Sequence, residues 1–365
     1  MILTDLIFSD FRNLAAVRLK PSPGFNILYG SNAQGKTNVL EGIYLLGTFK
    51  SFRASRNEEL IFHTRQHASL AANLSSRGIQ HKVELFINRQ GKKLRLDGKE
   101  PSSNGGLLGY LRPVLFAPEE IGLVKGPPTG RRALIDRAIF QTDSTFLGRA
   151  QEFARILRQR NHLLKEDCHD QELTPWTEGL IKTGARLRRD RYDFLCRLKP
   201  LLQQSYRYIA GGREEADINY TVTTNDEVTL QEELRRELNK ERQRERRYQT
   251  TLVGPHRDDP GFVVDGRPLK LYGSQGQQRS FILALKTAQI IDIEEQTGES
   301  PVLLLDDMTS ELDRRRQEFF FKFLLDRKGQ VFITTTEHRS LLDQGVTDVR
   351  IFRVEAGAVA ADCGE

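Results

Sequence analysis

Phe25-Asn26-Ile27-Leu28-Tyr29, followed at once by Gly30-Ser31-Asn32-Ala33-Gln34-Gly35-Lys36-Thr37, governs the architecture of this chain. A short apolar run, a glycine-bracketed loop ending in Lys-Thr, and then Val39, Leu40, Ile43, Leu45 and Leu46 at helical spacing read as strand, phosphate loop, helix. Glycine is needed where the chain bends sharply and meets an anion without a Cβ in the way. The backbone N–H groups from Gly30 to Thr37 and the positive end of the helix can wrap phosphates. Lys36 reaches the terminal ones, and the Thr37 hydroxyl can hold a magnesium ion.

Far along the chain lies the matching half. Val302-Leu303-Leu304-Leu305 is a wholly apolar strand that delivers Asp306 and Asp307 at its C-terminal edge, where open α/β sheets bind ligands. Asp306 is read as the magnesium-side acid beside Thr37, and Asp307 as the group that orients or deprotonates an attacking water. A capping or solvated aspartate is the plain alternative for Asp307. Lys36, Asp306 and Asp307 are therefore the candidate catalytic set. Tyr272 to Arg279 precedes a helix expected over Ser280 to Thr297, so Ser274, Gln275, Gly276 and Gln277 stand at an anion-binding helix start. Taken alone, these four residues equally describe an ordinary capped helix.

Thr37 and Tyr272 are 235 positions apart, and what fills the gap changes character along the way. Ile2 to Phe8 and Ala16 to Leu19 read as a hairpin; Ala68 to Leu74 and Lys82 to Ile87 read as antiparallel strands with turns at Asn88 to Gly91 and Asp97-Gly98. From about residue 121 the chain is polar, Arg-rich and helical in period, notably Phe146 to Leu164, Trp176 to Tyr208 and Leu230 to Tyr248. Strands return with Phe262 to Val264, Pro301 to Leu305 and Val331 to Thr335, and Arg314 to Leu325 has a helical period. The fold class expected is α/β: a phosphate-loop head with a β-subdomain and an inserted, mainly helical arm. Residues 1–120 and 249–365 form the expected discontinuous head, and 121–248 the arm.

The 365 residues carry a net charge of +6, with a pI near 9.2, which allows a polyanionic partner. Cys168, Cys196 and Cys363 are widely spaced, with no Cys-x-x-Cys pair, and suit a reducing compartment. The first residues lack a signal-peptide pattern and no apolar run reaches the ~20 residues that span a bilayer, so a cytoplasmic protein without a membrane partner is expected. Zinc spacing, a helix-turn-helix signature and aromatic stacking arrays are lacking, so any contact with DNA should run to its backbone. Lys50 and Arg53, after the first helix, and Arg186, Arg188, Arg189 and Arg191 in the arm are the candidates for it.

With the phosphate loop, the acidic strand and Ser274 to Gln277 together, the chain resembles ATP-binding-cassette ATPases. In them the signature motif binds the γ-phosphate held by the opposing subunit, so the site is complete only in a dimer. Transporter cassettes place the signature much nearer the loop; the likeness is closer to the SMC-like branch, and closest to the RecF family. It rests on Asp10-Phe11-Arg12-Asn13, the Gly30 to Asn38 run with Glu41, Lys50-Ser51-Phe52-Arg53, Phe116 with Pro118-Glu119, and Lys125-Gly126-Pro127. Arg131-Arg132 with Asp136, Gly254 to Asp259, Tyr272 to Arg279 and Leu305 to Asp313 continue it.

That resemblance implies an ATP- and magnesium-dependent homodimer that clamps DNA, has weak DNA-stimulated ATPase activity, and helps RecO and RecR load recombinase at gaps, in replication-linked repair and the SOS response. It also implies that Arg12 and Asn13 lie against the nucleotide, although both fit a simple turn. His256 and Arg257 are read as part of an ordered polar network with a structural role. Two positions depart from the pattern: Glu120 stands where the family has Asp, and Thr334-Thr335-Thr336 replaces the transporter histidine, leaving Thr335 and His338 as candidate γ-phosphate sensors. Two rival readings are a cassette ATPase coupled to a membrane or ribosome partner, and a nucleotide-gated scaffold with negligible turnover.

Overall fold

Strand β1 (Ile2–Phe11) turns at Arg12-Asn13 into β2 (Leu14–Leu19). Leu6 faces Leu19 and Phe8 faces Val17 across the pair, all buried, so the two-residue period sets the register. Arg12 takes a left-handed φ of 55°, which lets the turn close in two residues. β3 (Phe25–Tyr29) leads through the glycine loop into the helix Lys36–Thr48. β4 (His67–Ser76), β5 (Ile79–Asn88) and β6 (Lys92–Leu96) extend the hairpin into an antiparallel sheet ordered β2-β1-β4-β5-β6. The Asn88 side chain accepts from the N–H groups of Gln90 and Gly91, which pins the turn the sequence marked there. β7 (Pro113–Phe116) is buried throughout.

Helices Pro128–Thr142, Phe146–Lys165, Asp170–Ala210 and Glu227–Tyr248 follow, the last three longer than their periodicity suggested. Gly184 sits where a Cβ would crowd Leu234, Pro255 and Phe153 at 3.3–3.4 Å, so its bare backbone permits that close packing. β8 (Ala216–Asn219), β9 (Gly261–Val264) and β10 (Arg267–Pro268) form a small sheet ordered β10-β9-β8. Helix Gln275–Thr297 then precedes β11 (Val302–Asp306), β12 (Val331–Thr335), β13 (Val349–Glu355) and β14 (Ala358–Ala361). A six-stranded sheet has the order β14-β13-β3-β12-β11-β7, parallel except for the β13–β14 pair. Parallel strands buried on both faces explain why β3, β11 and β12 read as unbroken apolar runs.

This computed structural model describes residues 1–100, 109–308, 313–342, 345–346 and 348–362. Ser310, Glu311, Leu312 and Cys363 lie outside the described residues. The chain divides into two compact units, Met1–Glu120 with Ile282–Glu365, and Ile121–Phe281. The second boundary departs from the expected residue 248, because residues 249–281 are bound to the helical segment. β9 pairs with β8, and the Phe281 ring lies 4.8 Å from Phe262 and 6.2 Å from Tyr206. No helix among the described residues is long and apolar enough to cross a membrane.

Candidate functional site

The loop of the first unit is shaped by its glycines and braced from two sides. Gly30 has φ 153° and a Cβ there would stand 2.2 Å from the Val354 carbonyl oxygen; Gly35 has φ 116° and a Cβ would meet the Asn13 amide at 2.8 Å. Neither position admits a side chain without moving a neighbour. Asn13 Nδ2 donates to the Gln34 carbonyl at 3.1 Å, and Asn38 Nδ2 donates to Asn13 Oδ1 at 2.7 Å. On the other flank the Gly357 N–H donates to the Gln34 carbonyl and the Ala356 N–H to Gln34 Oε1. Ser31, Asn32 and Ala33 remain exposed at the tip.

Lys36 donates from Nζ to the carbonyls of Gly30 at 2.6 Å and Ser31 at 2.8 Å. Burial lowers the pKa of its ammonium, and the charges of Asp307 and Asp306 push it back up. The Thr37 hydroxyl donates to Asp306 Oδ1 at 2.8 Å across 269 positions of sequence, so the loop and the acidic strand meet. Asp306 is itself buried, and that burial raises its carboxyl above the usual range. Hydrogen bonds from Thr334 and Thr37 oppose the rise, Glu119 adds to it, and Arg53 opposes it. Asp307 stands exposed at the strand end with a left-handed φ of 46°.

Thr334, not singled out from the sequence, ties these two aspartates together. Its hydroxyl donates to Asp306 Oδ1 at 2.7 Å and accepts from the Asp307 N–H at 2.9 Å. Parallel pairing of β11 and β12 puts Thr334 directly opposite Asp306, a register that no local pattern announces. Of the candidate sensors, buried Thr335 closes its hydroxyl on the backbone of Glu337, and the His338 ring lies 4.4 Å from that of Tyr29, tilted by 48°. Arg12 grips buried Glu41 through both Nε and Nη2, at 2.9 and 2.7 Å, and the Ser51 hydroxyl donates to the same carboxylate. Glu120, where the acid is one methylene longer than in the resemblance, pairs with buried Lys286.

In the second unit, Ser274 and Gln277 form a reciprocal cap: the Gln277 N–H donates to Ser274 Oγ at 3.2 Å and the Ser274 N–H to Gln277 Oε1 at 2.8 Å. The helix thus starts at Gln275, five residues before the periodicity placed it. Ser274 and Gln275 are exposed, and Gly276 follows them in the first turn.

The Arg-rich candidates for DNA contact need correcting. Arg188 is buried, grips Asp258 at 2.9 and 3.1 Å and also meets Glu237; Arg191 is buried against Asp136 at 2.7 and 2.9 Å. Neither guanidinium faces solvent, so these two members of the charge run belong to the unit's interior. Arg186 and Arg189 are half-buried on Glu227. Lys50 and Arg53 are exposed, Arg53 donating weakly to Asn38 Oδ1 at 3.3 Å. The network foreseen around His256 is present: Arg131 pairs with Asp259, Arg132 donates to the Asp258 carbonyl, and Tyr220 donates to Asp258 Oδ2.

A triphosphate with magnesium fits these residues. The bare-backbone cradle has room only where side chains are missing, and a hydroxyl beside a carboxylate is a hard-oxygen pair of the kind magnesium takes together with phosphate oxygens. Among the described residues no cluster of three or more His, Cys, Asp or Glu offers a rival metal cage.

Comparison with known proteins shows the family. Residues 2–360 match the RecF/RecN/SMC N terminal domain family. The DNA replication and repair protein RecF of Syntrophotalea carbinolica is 53% identical over 98% of both chains. That of Geotalea uraniireducens is 41% identical over 98% of this chain and 100% of its own. The solved structure of the recombination mediator protein RecF with ATP in the RecFOR pathway superposes with a TM-score of 0.91 at 33% identity, covering 99% of each chain. Both sequence and architecture place this chain in the RecF family, within the wider group of RecF, RecN and SMC proteins.

Proposed function

We propose that this chain is an ATP-dependent DNA-binding protein of recombinational repair and replication-fork maintenance, acting as a homodimer with RecO and RecR to promote recombinase loading at single-strand gaps. The observation that carries the proposal is the 2.8 Å bond from Thr37 to Asp306, which brings the phosphate-loop motif and the acidic strand together from opposite ends of the sequence. The naming of its relatives as replication and repair proteins, and as mediators in the RecFOR pathway, supports the biological setting. The first unit is the ATPase head; the second carries the arm and the signature.

Bound magnesium–ATP supplies a transferable γ-phosphoryl group and the charge that distinguishes two states of the protein. Lys36 would bind phosphate oxygens, Thr37 and Asp306 would hold the metal, and Asp307 would orient the attacking water and draw off its proton. Ser274 and Gly276 of a second copy complete the phosphate shell from outside. Closure of the two copies clamps DNA, and slow hydrolysis releases it.

Sedimentation with ATP, with ADP and with a gapped duplex tests this. Dimer and co-sedimenting DNA should appear with ATP alone, Asp307→Asn should trap the dimer, and Lys36→Met should abolish nucleotide binding. A monomer that binds the gapped duplex equally with ATP and with ADP would refute the clamp. Phosphate release that is absent with and without DNA would leave a nucleotide-gated scaffold.

A further inference from the structure

The exposed Ser274–Gln277 turn is anchored by a residue outside every motif. The 41-residue helix Asp170–Ala210 ends at Gly211 and Gly212, both with φ 78°, whose N–H groups return to the Arg207 carbonyl. This reversal brings Glu214 back beside Tyr206. Buried Tyr206 donates its hydroxyl to Glu214 Oε2 at 2.7 Å, and Gln277 Nε2 donates to Glu214 Oε1 at 2.9 Å. Every atom in the chain of bonds then has its direction fixed. Because the Gln277 amide must give its N–H to the carboxylate, its oxygen faces the Ser274 N–H, and Ser274 Oγ accepts from the Gln277 backbone. A serine hydroxyl has one hydrogen, and with Oγ accepting within the turn that hydrogen is available for an acceptor outside it.

We infer that Glu214 is a positioning residue: it holds the Ser274–Gln277 turn in the polarity that donates to a phosphate oxygen on a second copy, and chains that turn to the end of the long arm helix. The inference rests on the proposed reading of the turn as a signature acting in trans. Glu214 touches no nucleotide itself. It acts through Gln277, and its removal should leave the phosphate loop of the first unit intact.

The test is ATP-driven dimerisation measured by sedimentation, alongside monomer binding of a fluorescent ATP analogue and thermal unfolding. Losing a charge-assisted hydrogen bond, Glu214→Ala should weaken dimerisation about tenfold with monomer nucleotide affinity unchanged. Gln277→Glu retains a perfectly good capping pair but sets a carboxylate against Glu214, so it should weaken dimerisation by about as much. Adding Glu214→Gln to Gln277→Glu gives the new carboxylate a donor and should bring dimerisation back to within about threefold of the parent. A helix cap without a positioning role predicts instead that Gln277→Glu is harmless and that the second substitution rescues nothing; either result overturns the inference. Ser274→Arg is the control: if it still dimerises with ATP, the trans reading itself fails, whereas its loss alongside a normal Glu214→Ala sinks only the role of Glu214. If Glu214→Ala unfolds, the rescue pair decides.

Discussion

Burial pushes the His256 imidazole down to about 4, helped by the charges of Arg257 and Arg132 and opposed by its bond to the Thr251 carbonyl and by Asp258. Its ring lies 5.9 Å from Phe153, and Nδ1 has no hydrogen-bond partner among the described residues. The folded protein therefore holds a neutral ring where the unfolded chain accepts a proton near pH 6.5. Stability is untouched above that value, falls as the pH drops from about 6.5 towards 4, and loses up to about 3 kcal/mol through this group. His256→Phe should flatten that part of the profile in urea melts taken between pH 7 and 4. An unchanged slope would mean that His256 is solvated or paired in the folded state. Elsewhere at this scale the sequence shows residue types but conceals partners: Asp306 was readable as an acid at the end of an apolar strand, whereas its bond to Thr334 became visible only once β12 lay beside β11.

Three helices of the second unit converge on Arg160. Its guanidinium, buried within Phe146–Lys165, donates to Glu245 Oε2 at 2.7 Å on Glu227–Tyr248, to Thr177 on Asp170–Ala210, and to Thr251. Glu245 Oε1 also accepts from the Leu252 N–H. Removing one member strands the other charge, so Arg160→Met should lower stability by about 3–5 kcal/mol. Adding Glu245→Gln keeps an acceptor for Leu252 and removes the stranded charge, and should recover more than half of the loss in urea unfolding. No recovery would place the effect in packing. The helices around this pair were legible because each presents a long apolar stripe, with Leu180, Leu187 and Leu198 in one and Leu230, Leu234 and Leu238 in another. β8 was not, since four residues flanked by polar loops give a two-residue period too little length to register. The strand order of the large sheet was also hidden: β3 lies between β12 and β13, partners some 300 residues downstream.

For the whole molecule, the net charge of +6 does not say where the free positive surface lies. Arg186, Arg188, Arg189 and Arg191 all have carboxylate partners inside the second unit, so the arm's most basic run adds little to an external field. In the proposed DNA complex, phosphate contacts would fall more heavily on groups such as Lys50 and Arg53, exposed after the first helix. Binding that is electrostatic and indifferent to sequence must release counterions, so affinity for duplex should fall as a power of salt, with a slope of about −0.9 per phosphate engaged. With ATP present, anisotropy titrations from about 50 to about 200 mM salt should show this decline on unrelated sequences. Lys50→Ala should reduce the slope by about one unit. Arg188→Met should leave the slope alone while lowering stability, since it strands Asp258 in the interior. A flat salt profile would remove backbone contact as the basis of binding, and a changed slope in Arg188→Met would return the arm's arginines to the DNA surface.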